Sequence, residues 1–369
     1  MKLSEGPHDP ASTKIGKRTA MGPSRYDYFD DTYVSANMAG NIVRGSAFVF
    51  AASIAKFTIS IGGTAVLARL LDPEAYGLLA MVFVFTSFLG LFQDMNLSLA
   101  TVQKERITHA QVSTIYWINV AVSCAIALVL VCMSPLIAWL YGEPRLTGIA
   151  LLLTLPIVIR GIGAQHQALL RRKMRFGTLT AIDVGAMATG YLTAVMLAWH
   201  GYGYWSLVWL HIANASAVVA MNWIGTGWRP GKPVRGSGVR AMVAFGTSLT
   251  GYSIVRFTAR SMDNAVIGWY WGAAAVGLYS KSRDLLGPVT NYLTSPIGAV
   301  AMPSLSRLTK DVPKYRSTFR RLAEKIACVT LPVAALVACT SNEIVGIVLG
   351  PKWVGAAPIL AVLAVLIFT

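Results

Sequence analysis

The sequence predicts an all-α fold, a polytopic bundle of transmembrane helices. Three observations carry that expectation. Of 369 residues, 55% are hydrophobic and only 13% charged, with a mean hydropathy of +0.56; a soluble domain carries roughly 25% charged residues. The apolar residues lie in continuous runs, and about 20 of them suffice to cross ~30 Å of hydrocarbon as a helix. The lysines and arginines gather in alternate gaps between the runs. Within hydrocarbon every backbone polar group needs an internal partner, so a span is a helix or part of a closed barrel. Long unbroken runs, rather than short alternating ones, select the helix.

Ten apolar segments follow one another, near 45–69, 75–99, 113–139, 146–169, 177–199, 204–225, 241–271, 276–303, 320–340 and 355–369. Residues 1–44 form a polar tail of mixed Pro, Gly, Ser and charge, expected to be disordered. The tail has no apolar stretch of the signal-peptide kind. Orientation follows from Lys and Arg. One side collects Lys14, Lys17, Arg18 and Arg25 of the tail, Arg171-Arg172-Lys173-Met174-Arg175, the linker cations Arg229 to Arg240, and Arg307 to Lys325. The opposite gaps hold only Arg69, Arg145 and Lys352. The amino terminus is therefore expected in the cytoplasm. The same bias accounts for most of the net charge of +16, which is topological and implies no nucleic acid. The four cysteines, Cys124, Cys132, Cys328 and Cys339, lack metal-ligand spacing and read as buried small hydrophobes. No metal or cofactor is expected.

An internal repeat sets the architecture. Ser53-Ile54-Ala55-Lys56-Phe57-Thr58 recurs as Ser253-Ile254-Val255-Arg256-Phe257-Thr258, and Ala75-Tyr76-Gly77-Leu78 as Ala275-Val276-Gly277-Leu278. Later, Leu140-Tyr141-Gly142-Glu143-Pro144 resembles Val348-Leu349-Gly350-Pro351. These matches predict two pseudo-symmetric lobes in parallel repeat. A six-helix lobe occupies 45–225, a cytoplasmic linker 226–240, and a second lobe 241–369. By the repeat, the second lobe stops in its fourth span, so the sequence reads as truncated.

A charge at the bilayer centre costs at least ~2.5 kcal/mol, so intramembrane charges face a cavity or a partner. Lys56 and Arg256 are repeat equivalents, and pseudo-symmetry sets them on opposite walls of a central cavity, where two cations suit a diphosphate. Arg260, Asp263, Lys281, Arg283 and Asp284 fall at one depth on either side of a turn near Gly272-Ala273, with one cation in excess. The substrate-binding candidates are thus Lys56, Arg256, Arg260, Lys281 and Arg283. Charge pairing or coupling falls to Asp94, Asp263 and Asp284, and to Arg160 with Asp183 as an interhelical pair. Pro156, Pro288, Pro296 and Pro332 permit kinks. Trp139, Tyr141, Trp199, Tyr202, Tyr204, Trp205, Trp269, Tyr270 and Trp271 form an aromatic belt at one membrane face.

Leu67-Ala68-Arg69-Leu70-Leu71-Asp72-Pro73-Glu74-Ala75-Tyr76-Gly77, Gln93-Asp94-Met95-Asn96-Leu97-Ser98-Leu99-Ala100 and Arg260-Ser261-Met262-Asp263-Asn264-Ala265-Val266-Ile267-Gly268 resemble motifs of a known family. These are the polysaccharide exporters and O-antigen flippases of the multidrug/oligosaccharidyl-lipid/polysaccharide superfamily. The resemblance covers about 45–369. It implies two six-helix bundles around a cationic cavity in the bacterial inner membrane. It implies alternating access and an undecaprenyl-diphosphate-linked oligosaccharide as cargo, with membrane lipids, a polymerase and export machinery as partners, and no enzymatic step. Members usually carry at least twelve helices. A cation or drug antiporter of the same superfamily, or an inactive truncated flippase, are the alternatives. The excess of intramembrane cations over acids disfavours the antiporter.

Overall fold

The computed structural model describes residues 38–93, 98, 101–102, 104, 107–234, 250–306 and 311–365; for 38–50, 250–256, 258–260, 291–300 and 302–304 it describes the backbone alone. The helices are α1 Met38–Leu70, α2 Pro73–Gly90, α3 His109–Tyr141, α4 Arg145–Leu152, α5 Thr154–Arg172, α6 Phe176–Trp199, α7 Trp205–Thr226, α8 Thr250–Ser306, α9 Val312–Cys339, α10 Ser341–Val348 and α11 Ala356–Ala364. No strand occurs among the described residues. Seven helices there are long and apolar enough to cross a membrane.

Local chemistry sets the boundaries. Thr108 caps α3 in a reciprocal capping box with Gln111, which satisfies two donors left open by the first turn. Gly142 ends that helix at φ 65°, a left-handed conformation that costs glycine no Cβ clash. Its counterpart in the repeat, Gly350, also has positive φ, at 93°. The fourth expected span divides into α4 and α5 at Leu153. Pro156 has no N–H to offer the carbonyl four residues back, at Leu152, so the ladder breaks there. Gly272, at φ 75° and ψ −175°, folds α8 into two arms at the turn expected from sequence. The short α10 was not anticipated.

The main core joins the beginning of the chain to its end. Leu67, Ala68, Leu71, Leu78 and Met81 pack with Ile137, Val276, Leu349, Trp353 and Leu360. Trp353 is wholly buried, meets Tyr76 edge to face at 5.2 Å, and donates from Nε1 to the Ala68 carbonyl at 2.8 Å. Around it Lys352 pairs with Asp72 at 2.9 Å and Arg69 donates to the Ile347 carbonyl at 2.9 Å. Ser282 donates to the Ala356 carbonyl at 3.0 Å. At the heart of this end α2 and α8 touch backbone to backbone. A Cβ on Gly77 would collide with the Ala273 carbonyl, and one on Gly277 with the Pro73 carbonyl. Each glycine thus meets the repeat equivalent of the residue that the other glycine meets. Reciprocity of that kind is what a twofold relation between two surfaces produces.

At the opposite end the chain leaves α7 through Gly227, at φ 60°, and lies as a strap across α3. His109 bonds to the Arg229 carbonyl at 3.2 Å, Trp117 to the Gly231 carbonyl at 2.9 Å, Ser113 to the Gly231 amide at 3.0 Å, and Thr114 to the Val234 amide at 3.2 Å. Arg172 reaches from the end of α5 to the carbonyls of Thr101 and Lys104, so this member of the basic cluster is also a structural staple. The remainder of the expected linker lies outside the described residues.

Two expectations need correction. The four cysteines are exposed on the outside of the bundle; thiols are apolar enough to face lipid, so lack of polarity did not require burial. The aromatic belt divides. Trp139, Trp199, Tyr202, Trp269, Tyr270 and Trp271 are exposed, whereas Tyr141, Tyr204 and Trp205 pack against the core.

Candidate functional site

The intramembrane charges of the described residues lie on α1, α5, α6 and α8. Lys56 of α1 meets Asp183 of α6 at 2.6 Å, with side chains 30% and 41% exposed. That contact corrects the expected Arg160–Asp183 pair. Both cations stood at a plausible depth, and the packing of α1 beside α6, which spacing along α5 and α6 could not reveal, decides between them. It also alters the expected Lys56–Arg256 clamp, because Lys56 is already neutralised. The side chains of Arg256 and Arg260, and the whole of Asp94, lie outside the described residues.

On α8 the two arms bring charges together across Gly272. Arg283 bonds to Asp263 at 2.7 Å, and Tyr279 donates to the same carboxylate. Lys281 pairs with Asp284 at 3.1 Å and lies 4.4 Å above the ring of Tyr76. A cation over an aromatic face is held by the ring quadrupole, so Tyr76 orients Lys281 from the neighbouring α2.

Arg160 of α5 is exposed and has no carboxylate partner among the described residues. His211 of α7 stands edge-on to Phe83 of α2 at 4.7 Å, within electrostatic range of both Arg160 and Lys281. The phenol of Tyr76, buried on α2, has no hydrogen-bond partner among the described residues. The arrangement has hydrogen-bond donors and positive charge to offer an anion, with aromatic walls beside them. No group of three His, Cys, Asp or Glu side chains suited to a metal occurs among the described residues.

Sequence reasoning named Arg160 and Lys281 but missed His211 and Tyr76. An intramembrane histidine is costly enough to mark a site by itself, and His211 carried that signal. Tyr76 was seen only as part of the repeat.

Outside the membrane, Arg145 joins Glu143 at 2.7 Å and Glu74 at 2.5 Å. The hydrogen bond from its guanidinium holds the Glu143 carboxyl below the usual carboxylate value.

The chain resembles the Lipopolysaccharide biosynthesis protein WzxC of Escherichia coli (strain K12), 25% identical over 81% of this chain and 61% of that protein. It resembles the Teichuronic acid biosynthesis protein TuaB of Bacillus subtilis (strain 168), 24% identical over 76% of this chain and 58% of the relative. It also resembles the Succinoglycan biosynthesis transport protein ExoT of Rhizobium meliloti (strain 1021), 25% identical over 81% and 60%. The chain thus spans about three-fifths of the length of these curated relatives. No solved structure matches it. The apolar helices and these relatives make it a multi-pass inner-membrane protein. A model of polysaccharide biosynthesis proteins matches residues 66–358, and the chain belongs to that family.

Proposed function

We propose that the chain is a non-enzymatic flippase. Its cargo is an undecaprenyl-diphosphate-linked oligosaccharide, moved across the inner membrane by alternating access between two lobes, for exopolysaccharide or lipopolysaccharide assembly. In this reading the amino terminus is cytoplasmic, and a polymerase and export machinery take the product. The observation that carries the reading is the pairing of Lys281 with the ring face of Tyr76 at 4.4 Å, with Arg160, which has no carboxylate partner among the described residues, within electrostatic range of the same region. A diphosphate supplies acceptors for both cations while its lipid stays in the bilayer, and guanidinium forks suit such oxygens. The grip moves from the Lys56–Arg256 pair read in the sequence to Arg160, with Lys281, itself paired with Asp284, beside it and with Arg256 and Arg260 retained as candidates. The reciprocal glycine contact supports the two-lobe cycle, since it closes one end of the space between them.

The test is flipping of a fluorescent undecaprenyl-diphosphate oligosaccharide by the full chain in proteoliposomes. A charge-assisted hydrogen bond contributes about 1.5–3 kcal/mol, so Arg160→Gln should weaken substrate affinity by about 10- to 100-fold. The Lys56→Met/Asp183→Leu pair removes two charges that cancel, and its rate should stay within about threefold of the parent. Equal loss in both variants would return the role to Lys56. Transport of a cationic dye, with no movement of the lipid-linked sugar, would make the chain an antiporter instead.

A further inference from the structure

Inside the first part of the bundle, away from the charged site, runs a buried polar seam. On α3, Ser113, Asn119 and Ser123 are buried, and Tyr116 lies on the same face. On α5, Gln165 and His166 are wholly buried, and on α7, Asn222 and Thr226. Trp228, at the start of the strap, closes the end. The parts touch. His166 stacks on Trp223 at 4.5 Å and stands 5.1 Å from Trp228 and 6.1 Å from Tyr116. A Cβ on Gly161 would press on Ser123 and approach the Asn119 carbonyl at 3.3 Å.

Among the described residues, six polar atoms of this seam have no protein partner: Asn119 Nδ2 and Oδ1, Gln165 Nε2, Asn222 Oδ1, Trp223 Nε1 and Trp228 Nε1. Their chemistry limits what can satisfy them. The His166 ring meets the Trp228 carbonyl at 3.3 Å and the Ile162 backbone, so it anchors the seam and is not counted. The amide and indole nitrogens are four donor groups and the two amide oxygens are acceptors. A metal cation would leave the donors unmet, and an anion would leave the acceptors unmet. Only a small molecule that both donates and accepts fits.

We infer that this seam is a binding site for internal water. At about three hydrogen bonds per buried water, roughly two molecules satisfy these six atoms. The water joins α3, α5 and α7 to the strap without any direct side-chain bond among Asn119, Asn222 and Trp223. It is independent of the cargo, and of whether the chain flips anything.

Hydroxyl-radical footprinting by X-ray pulses, on the full chain in lipid nanodiscs, tests this. Radicals formed from a bound water oxidise the side chain beside it, even in a buried place. Trp353 is the internal control for Trp228 and His166: buried as they are, but with its indole N–H bonded to protein. We expect Trp228 and His166 to be modified several-fold faster than Trp353. Equal, low rates at all of them would overturn the site. A uniform rise that includes Trp353 would also overturn it, because it reports general opening. In Asn119→Leu/Asn222→Leu the excess at Trp228 should vanish while Trp353 stays low. Should that variant fail to fold, Asn222→Ser, which keeps an acceptor, should leave the excess in place, and its loss there would count against water.

Discussion

Lys56 and Asp183 show how a single contact reassigns a site. They are 127 residues apart in sequence, and their 2.6 Å pair is only part-buried. An exposed ion pair contributes about 0.2–1 kcal/mol, whereas breaking a fully buried one costs about 3–5 kcal/mol. The intermediate exposure predicts a double-mutant coupling close to the exposed range, about 1 kcal/mol, by thermal melts of Lys56→Met, Asp183→Leu and the pair. A coupling near 4 kcal/mol would mean that the site is dry. Glu143 makes a second prediction, about pH. Its folded carboxyl is depressed by Arg145. Its contribution to stability is therefore complete above the ordinary value of 4.5 and fades as pH falls below it toward the folded value. Arg145→Gln should remove that acid-side fading, and melting temperatures at stepped pH would reveal it. Which of these contacts the sequence exposed depended on distance along the chain. Lys281 and Asp284 are three apart on one helix, and Asp263 and Arg283 are nearly equidistant from Gly272, so helical rise alone brought each pair together. Lys56 with Asp183, and Arg160 with His211, depend on which helices are neighbours, and no local spacing encodes that.

At the scale of the elements, apolar length and breakers were legible, and lateral packing was not. Runs of 20 or more apolar residues became α1, α3, α6 and α7 with small shifts at the ends, because hydrocarbon leaves the backbone no other conformation. Gly272 was read as a turn, and the structure has it there. The break at Leu153, and the backbone approach of α2 to α8, needed the third dimension. That approach yields the next prediction. Gly77 and Gly277 each stand where a Cβ meets a carbonyl of the opposing helix, and backbone cannot rotate out of the way as a side chain can. Overpacking of this kind costs about 1–3 kcal/mol, so Gly77→Ala and Gly277→Ala should each lower the melting temperature. Gly62→Ala, with nothing within 4 Å, is the matched control and should be neutral or slightly stabilising through the unfolded chain.

For the whole molecule, the reciprocal glycines and their surroundings act as one clasp. Asp72 and Lys352, Arg69 and the Ile347 carbonyl, and Trp353 and the Ala68 carbonyl all tie the α1–α2 turn to the segment around α10. If the proposed cycle is correct, this is the end that must open, and the clasp sets the balance between closed and open forms. Spin labels at Tyr202 and Val354, both exposed at this end, would report the separation by pulsed electron resonance. The parent should give one short, narrow distance. Asp72→Lys places two cations where an exposed pair stood, and a change of about 1 kcal/mol populates a second conformation when the closed and open forms are nearly balanced. It should add a longer distance, and Asp72→Lys/Lys352→Asp should restore the short one. Recovery in the charge-swapped variant would assign the effect to the pair itself. An unchanged distance in Asp72→Lys would mean that the glycine contact and Trp353 hold the end closed without it, and Trp353→Phe, which keeps the ring but drops the bond to Ala68, would then be the variant that opens it.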